Sequence, residues 1–354
     1  MLLFYHFYFF SRLASYREQA PKETPGRGVS VVIAAWNELE NLQQLLPVLL
    51  KQNYPVYEII VVDDRSNDEC YDYLLYEAMK HDRMKLRRIN ETPEHITSKK
   101  YAITLGIKAA QYETILLTDA DCMPQSDDWI RLMVESMGDD KQIVLGFSPY
   151  RREPGVLNWM IRYETFYTGV QYLSFAMAGV PYMGVGRNLG YKKSVFIKNK
   201  GFNKHLNVVG GDDDLFVGEV ANRNNVAICL EPEGFIESVP KTTFRSWFRQ
   251  KKRHLSVGKH YSQRNKTLLG ILSLSQLLFW GSFITLLSLQ AFIPIVLAVF
   301  ALRMIAWVTV LQKAAHKLQQ RIRWYLLPAF DFIYTIYYLC IGVTALLSKR
   351  IQWR

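Results

Sequence analysis

The chain has 354 residues, enough for one large domain or two, and its 43 Lys and Arg against 32 Asp and Glu give a net charge of +11. That excess is local: residues 241–266 carry nine Lys or Arg and no acid. With no nucleic-acid-binding motif around it, such a segment argues for a membrane edge and against DNA or RNA as the partner. Four cysteines, Cys70, Cys122, Cys229 and Cys340, lack metal-ligand spacing, which argues against a disulfide framework and fits reduced, cytosolic thiols.

Met1–Phe10 is apolar and aromatic, with Arg12 and Arg17 behind it. It is too short for an ordinary crossing and lacks a signal-peptide cleavage site, so it reads as an interfacial anchor or as the remnant of a longer segment. Residues 19–28, with two prolines and two glycines, form a polar linker. Val29–Ala35 is a buried strand rich in β-branched residues. Asn37, with Glu40 three residues on, signals a helix N-cap, and the helix behind it carries Leu42, Leu45, Leu46 and Leu49 on one face. A strand over Tyr57–Val62 runs into Asp63-Asp64. A helix over Glu69–Lys80, a short strand over Met84–Ile89 and a helix over Ser98–Ala110 follow. Thr114–Thr118 is the fourth strand, and it leads into Asp119-Ala120-Asp121, where strand alternation puts both carboxylates on one side. Strands alternating with helices imply an α/β fold with a parallel sheet and right-handed crossovers. Ligands of such sheets bind at the carboxyl ends of the strands. Ala35-Trp36, Asp63-Asp64 and Asp119–Asp121 then share one edge.

Further on, Trp129–Met137 reads as a helix, Ile143–Phe147 as a strand and Gly155–Met177 as a long aromatic helix placed in the core. Gly184–Gly190 has the look of a dinucleotide loop but does not open an early strand-turn-helix unit, so no nucleotide is assigned to it. Gly210-Gly211 leads into Asp212, Asp213 and Asp214, a carboxylate cluster on a tight turn that also supplies acids to the first turn of a helix. In Thr243–Tyr261, Phe244, Trp247, Phe248 and Leu255 fall at helical spacing among Arg245, Arg249, Lys252 and Arg253, the pattern of an interfacial amphipathic helix. From Leu268 onward the only acid is Asp331. The uncharged run Leu268–Leu302 splits near Ser288–Gln290 into two crossings, and Tyr325–Ser348 supplies a third. The basic loop His316–Arg323 belongs on the cytosolic side, which leaves the basic tail Lys349–Arg354 on the far side, against the same rule. Arg303 and Asp331, the only charges inside these crossings, each lie roughly 9–12 Å from that loop at a rise of about 1.5 Å per residue. They are expected to pair, because lone charges at that depth are expensive.

Five motifs in order then resemble glycosyltransferase family 2, membrane-bound and of the processive type, over roughly Val29 to Tyr261. Val29–Glu38 is similar to the family's first strand and its aromatic-Asn-Glu ending, with Trp36 as the aromatic. Val62-Asp63-Asp64-Arg65-Ser66 resembles V-D-D-x-S, whose acids read the base and ribose. Lys99 to Gly106 resembles G-K-x-x-A-x-N-x-G, with Ser98 for the first Gly and Thr104 for Asn. Asp119-Ala120-Asp121 matches the metal-binding D-x-D. Gln250-Lys251-Lys252-Arg253-His254 resembles Q-x-x-R-W, with His254 for Trp. The resemblance implies a GT-A fold over residues 29–240, after an anchor and linker (1–28) and before a basic interfacial segment (241–266) and a membrane region (267–354).

It further implies an inverting transfer from a nucleotide-diphosphate sugar, UDP-linked by first guess, to a lipid or lipid-linked acceptor. Mg2+ or Mn2+ is expected on Asp119 and Asp121. Ala35, Trp36, Glu38, Asp63, Asp64, Lys99, Lys100, Asp119 and Arg253 are expected to bind the donor. Gln250, His254 and Asp214 are expected to face the acceptor. The general base is Asp212 if the following Asp-Leu is aligned and Asp213 if the leading Gly-Gly is. The alternative is an inactive membrane scaffold that binds nucleotide sugar or lipid.

Overall fold

The computed structural model describes residues 1–17 and 26–347, with side chains described as far as residue 344. Most of the expected linker and all of the basic tail lie outside these residues. The chain divides into two compact units. One joins Glu18–Glu153 to Pro181–Pro240, and the other joins Met1–Arg17, Pro154–Val180 and Lys241–Arg354.

The first unit is built on a seven-stranded sheet. Its strands in chain order are β1 (Val29–Ala35), β2 (Tyr57–Asp63), β3 (Met84–Arg88), β4 (Thr114–Leu117), β6 (Ile143–Gly146), β7 (Leu189–Lys192) and β8 (Val226–Cys229). A separate antiparallel pair is formed by β5 (Cys122–Pro124) and β9 (Ile236–Ser238). The sheet order is β3-β2-β1-β4-β7-β6-β8. The first four strands run parallel, as expected, but β7 is antiparallel to both β4 and β6, so the sheet is mixed. Apolar runs such as Val31–Ile33 and Ile59–Val62 are buried on both faces, which is what covered parallel strands require.

Two local features bring the strand ends together. Asn37 does not cap the helix Leu39–Leu50; Glu38 holds that position. Asn37 instead adopts a left-handed conformation (φ 53°). Its Oδ1 accepts from the Asn67 N–H (2.7 Å) and its own N–H donates to Ser66 Oγ (2.9 Å). A short amide side chain tolerates αL, so Asn37 ties the end of β1 to the loop after β2. The second feature is Gly106. A Cβ there would sit 2.4 Å from Val32 Cγ1. The glycine therefore lets the helix Ser98–Ala109 press onto β1, which carries the helix start toward the polar edge.

The second unit is helical. Gln263–Ser288, Ile293–Lys317 and Trp324–Thr344 are each long and apolar enough to cross a membrane. The helix Val156–Met177 belongs with this unit and not with the sheet domain that the division at 29–240 gave it. Its aromatics explain the difference: Tyr163 stacks on Phe330 (4.7 Å) and Tyr167 meets Tyr334 edge-on (4.8 Å). The N-terminal segments Leu2–Phe4, Tyr5–Phe10 and Ser11–Ala14 pack into the same bundle. There Phe9 stacks on Phe175 (4.2 Å) and His6 lies over Trp307 (4.7 Å), while Phe4, Phe7 and Tyr8 stay exposed. Arg303 and Asp331 pair as expected, Nη1 to Oδ2 at 2.7 Å, with side chains 4% and 0% exposed. In the amphipathic helix Phe244–Val257, Thr243 supplies the N-cap, accepting from the Ser246 N–H. Phe244 and Phe248 are exposed as an interfacial face needs. Trp247, expected on the same face, turns inward and stacks on Tyr337 (4.9 Å), and the Lys251 ammonium pairs with Glu164.

Candidate active site

The site forms where the parallel strands end. β4 stops at Leu117 and β5 begins at Cys122, so Asp119 and Asp121 lie on a turn and not on a strand. The turn is closed by the Cys122 N–H donating to the Asp119 carbonyl (3.2 Å). It is this turn, and not strand alternation, that sets one ligand atom each from Asp119, Asp121 and Cys122 within 4.8 Å of one another. Two half-buried carboxylates suit a hard divalent cation. The Cys122 thiol is buried against Ser238 Oγ (3.1 Å), and burial pushes it up, away from the thiolate a metal ligand needs.

From the helix Ser98–Ala109 the two lysines diverge. Lys99 Nζ donates to Asp119 Oδ1 at 2.8 Å and lies 3.4 Å from Asp212 Oδ2. Burial works against that charge, but Asp119 and Asp212 more than offset it and hold the ammonium above the ordinary lysine range. Lys100 does not join the site. Its ammonium is fully buried and donates to the His205 and Val208 carbonyls, both at 2.6 Å. Its expected place among the donor-binding residues is therefore corrected: it fastens the loop that leads to Asp212. Burial lowers its pKa to about 8.

The acidic turn is shaped by Gly210 and Gly211, both at positive φ (83° and 75°), where only glycine sits without strain. Asp213 caps the helix Asp214–Val220. Its Oδ1 accepts from the Asp214 N–H and its Oδ2 from the Gly186 N–H, both at 2.8 Å. Burial and the neighbouring Asp212 charge push Asp213 up to about 6. Asp212 is buried, with Oδ2 facing Lys99. Asp214 is buried in the first helical turn.

Among the residues expected to bind the donor, Ala35 pairs with Asp63 across β1 and β2. The Asp63 carboxylate is fully buried and neither oxygen has a hydrogen-bond partner among the described residues. A buried carboxylate in that state needs a donor that the described residues do not supply, whether water or a ligand. Asp64 Oδ1 accepts from Arg65 Nε (3.0 Å), and Arg65 reaches on to Ser98 Oγ (3.1 Å). Trp36 follows β1, and Glu38 Oε2 accepts from Asn41 Nδ2 (2.5 Å). Gln250, Arg253 and His254 lie on the helix Phe244–Val257 in the helical unit.

Two residues escaped the sequence reading, both in the loop set aside as a false dinucleotide motif. The Gly186 N–H holds Asp213, and a Cβ at Gly186 would crowd that carboxylate at 3.3 Å. Arg187 donates to Ser148 Oγ (2.8 Å), the Ser148 carbonyl (3.2 Å) and Tyr150 Oη (3.1 Å). Ser148 in turn touches Ser238, the neighbour of Cys122. Nothing in local spacing marks either residue, since both act on groups remote in sequence.

Residues 30–199 match the family model described as Glycosyl transferase family 2. The poly-beta-1,6-N-acetyl-D-glucosamine synthase of Staphylococcus epidermidis is 34% identical over 100 residues, 28% of this chain and 23% of the synthase. The dolichol-phosphate mannosyltransferase of Pyrococcus furiosus is 30% identical over 132 residues, 37% of this chain and 36% of that enzyme. The chain thus spans well under half of either relative. Among solved structures, a mannosyltransferase from Pyrobaculum calidifontis in complex with GDP-Man and Mn2+ superposes with a TM-score of 0.61 at 18% identity, covering 99% of this chain and 95% of that one. Mixed sheet, ordered motifs and family match agree: residues 30–199 form a glycosyltransferase family 2 domain, and the fold is GT-A.

Proposed function

We propose that the chain transfers a sugar from a nucleotide-diphosphate donor to a lipid or lipid-linked acceptor at the cytosolic face of a membrane, with inversion, in the making of a glycolipid or envelope polysaccharide. The observation that carries this is the Lys99 bridge between Asp119 and Asp212, at 2.8 and 3.4 Å. It joins a metal-type acid to a base-type acid across a gap that a reacting centre needs. Asp121 and Asp119 would hold a divalent cation, which when bound would stabilise the charge that builds on the leaving diphosphate. The Mn2+ bound by the Pyrobaculum enzyme is in keeping with that. Asp63, with two unsatisfied acceptors, takes N–H groups of the base. Asp212 is the general base, and Asp213 positions it. In favour of this order, both Asp213 oxygens are committed to backbone amides, whereas Asp212 faces the site cation. Asp212 removes the acceptor hydroxyl proton, the oxygen bonds to the anomeric carbon, and the bond to the diphosphate oxygen breaks with its electron pair. A lipid acceptor is favoured by the exposed Phe244 and Phe248 on a basic helix and by the three helices among the described residues that are long and apolar enough to cross a membrane. The dolichol-phosphate relative points the same way.

The test is transfer by the full chain in membranes, against a panel of UDP- and GDP-sugars with Mn2+ or Mg2+. Asp121→Asn and Asp212→Asn are each expected to lose at least about a hundredfold in rate while staying folded. Unchanged rates in both would end the proposal.

A further inference from the structure

Lys99 is expected to bind the donor, yet its ammonium is already shared between Asp119 and Asp212. We propose that Lys99 is an exchangeable cation: it holds the two acids together in the unliganded site, gives up Asp119 when a divalent cation takes that carboxylate, and moves to the diphosphate. Metal and nucleotide then bind synergistically, each completing the site for the other. This rests on the proposed transferase site and specifies how that site is filled.

Four acids converge here, Asp119, Asp121, Asp212 and Asp213, and Lys99 is the cation bonded between two of them. The nearby Arg187 is not equivalent, because its guanidinium is tied to Ser148 and Tyr150 and lies over the Tyr150 ring (4.7 Å). Lys99 already holds Asp119 Oδ1 at 2.8 Å, and a divalent cation on the same carboxylate repels the adjacent ammonium, so the two cations compete for Asp119. Lysine can give way, being a point charge on a flexible four-carbon stem. The backbone beneath it need not move, since Lys100, the next residue, is clamped to the His205 and Val208 carbonyls.

The experiment measures Mn2+ binding by electron paramagnetic resonance of free Mn2+, with the full chain in detergent and no donor. Lys99→Met is expected to bind Mn2+ at least about fivefold more tightly than the native chain, within the usual span of site-to-site coupling. Lys99→Gln should do the same, and Lys99→Arg, which keeps the charge, should remain near native. Adding UDP or GDP should tighten Mn2+ binding in the native chain and do so far less in Lys99→Met. Equal or weaker Mn2+ binding in folded Lys99→Met and Lys99→Gln overturns the exchange. The underlying reading fails separately: a native chain that binds no Mn2+, or binds it as well after Asp121→Asn, removes the metal site itself.

Discussion

Replacing Asp331 by Asn removes one charge of the buried pair with Arg303 and little else. The Trp280 indole N–H, which donates to Asp331 Oδ2 at 2.8 Å, keeps an acceptor in the amide. What remains is an Arg303 guanidinium whose side chain is 4% exposed, with Nε and Nη2 already lacking hydrogen-bond partners among the described residues. Leaving such a charge uncompensated costs about 3–5 kcal/mol. Arg303→Met should cost a similar amount, since the carboxylate is then held by Trp280 alone. The double replacement leaves no charge behind and should cost well below the sum of the single changes. Reversing both charges should do better than reversing either one. It should not restore the native value, because the guanidinium packs over Phe279 (4.7 Å) and Trp307 (5.1 Å), ring faces that attract a cation and repel a carboxylate. Unfolding of the full chain in mixed micelles titrated with a denaturing detergent gives all the terms. A double replacement that loses as much as the two single ones together would refute the pairing as a source of stability.

Gly106→Ala should destabilise the sheet unit by about 1–3 kcal/mol, as overpacking does, because the new methyl meets Val32 Cγ1 at 2.4 Å. Thermal unfolding would show it, and an unchanged midpoint would mean that the helix is not pressed onto β1. Asp213, pushed up to about 6 from 3.8 by burial and by Asp212, makes the folded chain hold more protons than the unfolded chain between those values. Its contribution to stability therefore falls as pH rises through that window. In metal-free protein, Asp213→Asn should remove that downward slope, and parallel stability–pH curves for the two proteins would contradict it.

Much of the sheet unit was legible because its signals are short-range. A four- to seven-residue apolar run bounded by acids marks a strand and its end, and Tyr57–Asp63 and Thr114–Leu117 fall within a residue of the expected bounds. Leucine spacing likewise marked the buried face of Leu39–Leu50. Asn37 was misread because a capping box and an αL tie use the same residue type, and the choice depends on Ser66 and Asn67, far along the chain. The strand β7 was not foreseen because Leu189-Gly190-Tyr191-Lys192 carries no apolar run; its antiparallel place is set by its pairing with β4 and β6.

By itself, the sequence determined which chemistry is available. Carboxylates at strand ends, two adjacent lysines at a helix start, an acidic turn behind two glycines and three long apolar segments are all properties of residue type and spacing. The pairing of Arg303 with Asp331 also followed from it, because two lone charges in apolar helices have few alternatives to each other. Tertiary structure decided which of the like residues act together. Lys99 and Lys100 are neighbours, yet helical geometry sends one to Asp119 and the other to the His205 loop. Asp212 and Asp213 are neighbours too, but the Gly186 N–H, brought in by β7, claims one of them. Those choices depend on backbone groups supplied from elsewhere in the fold, and no local pattern encodes them.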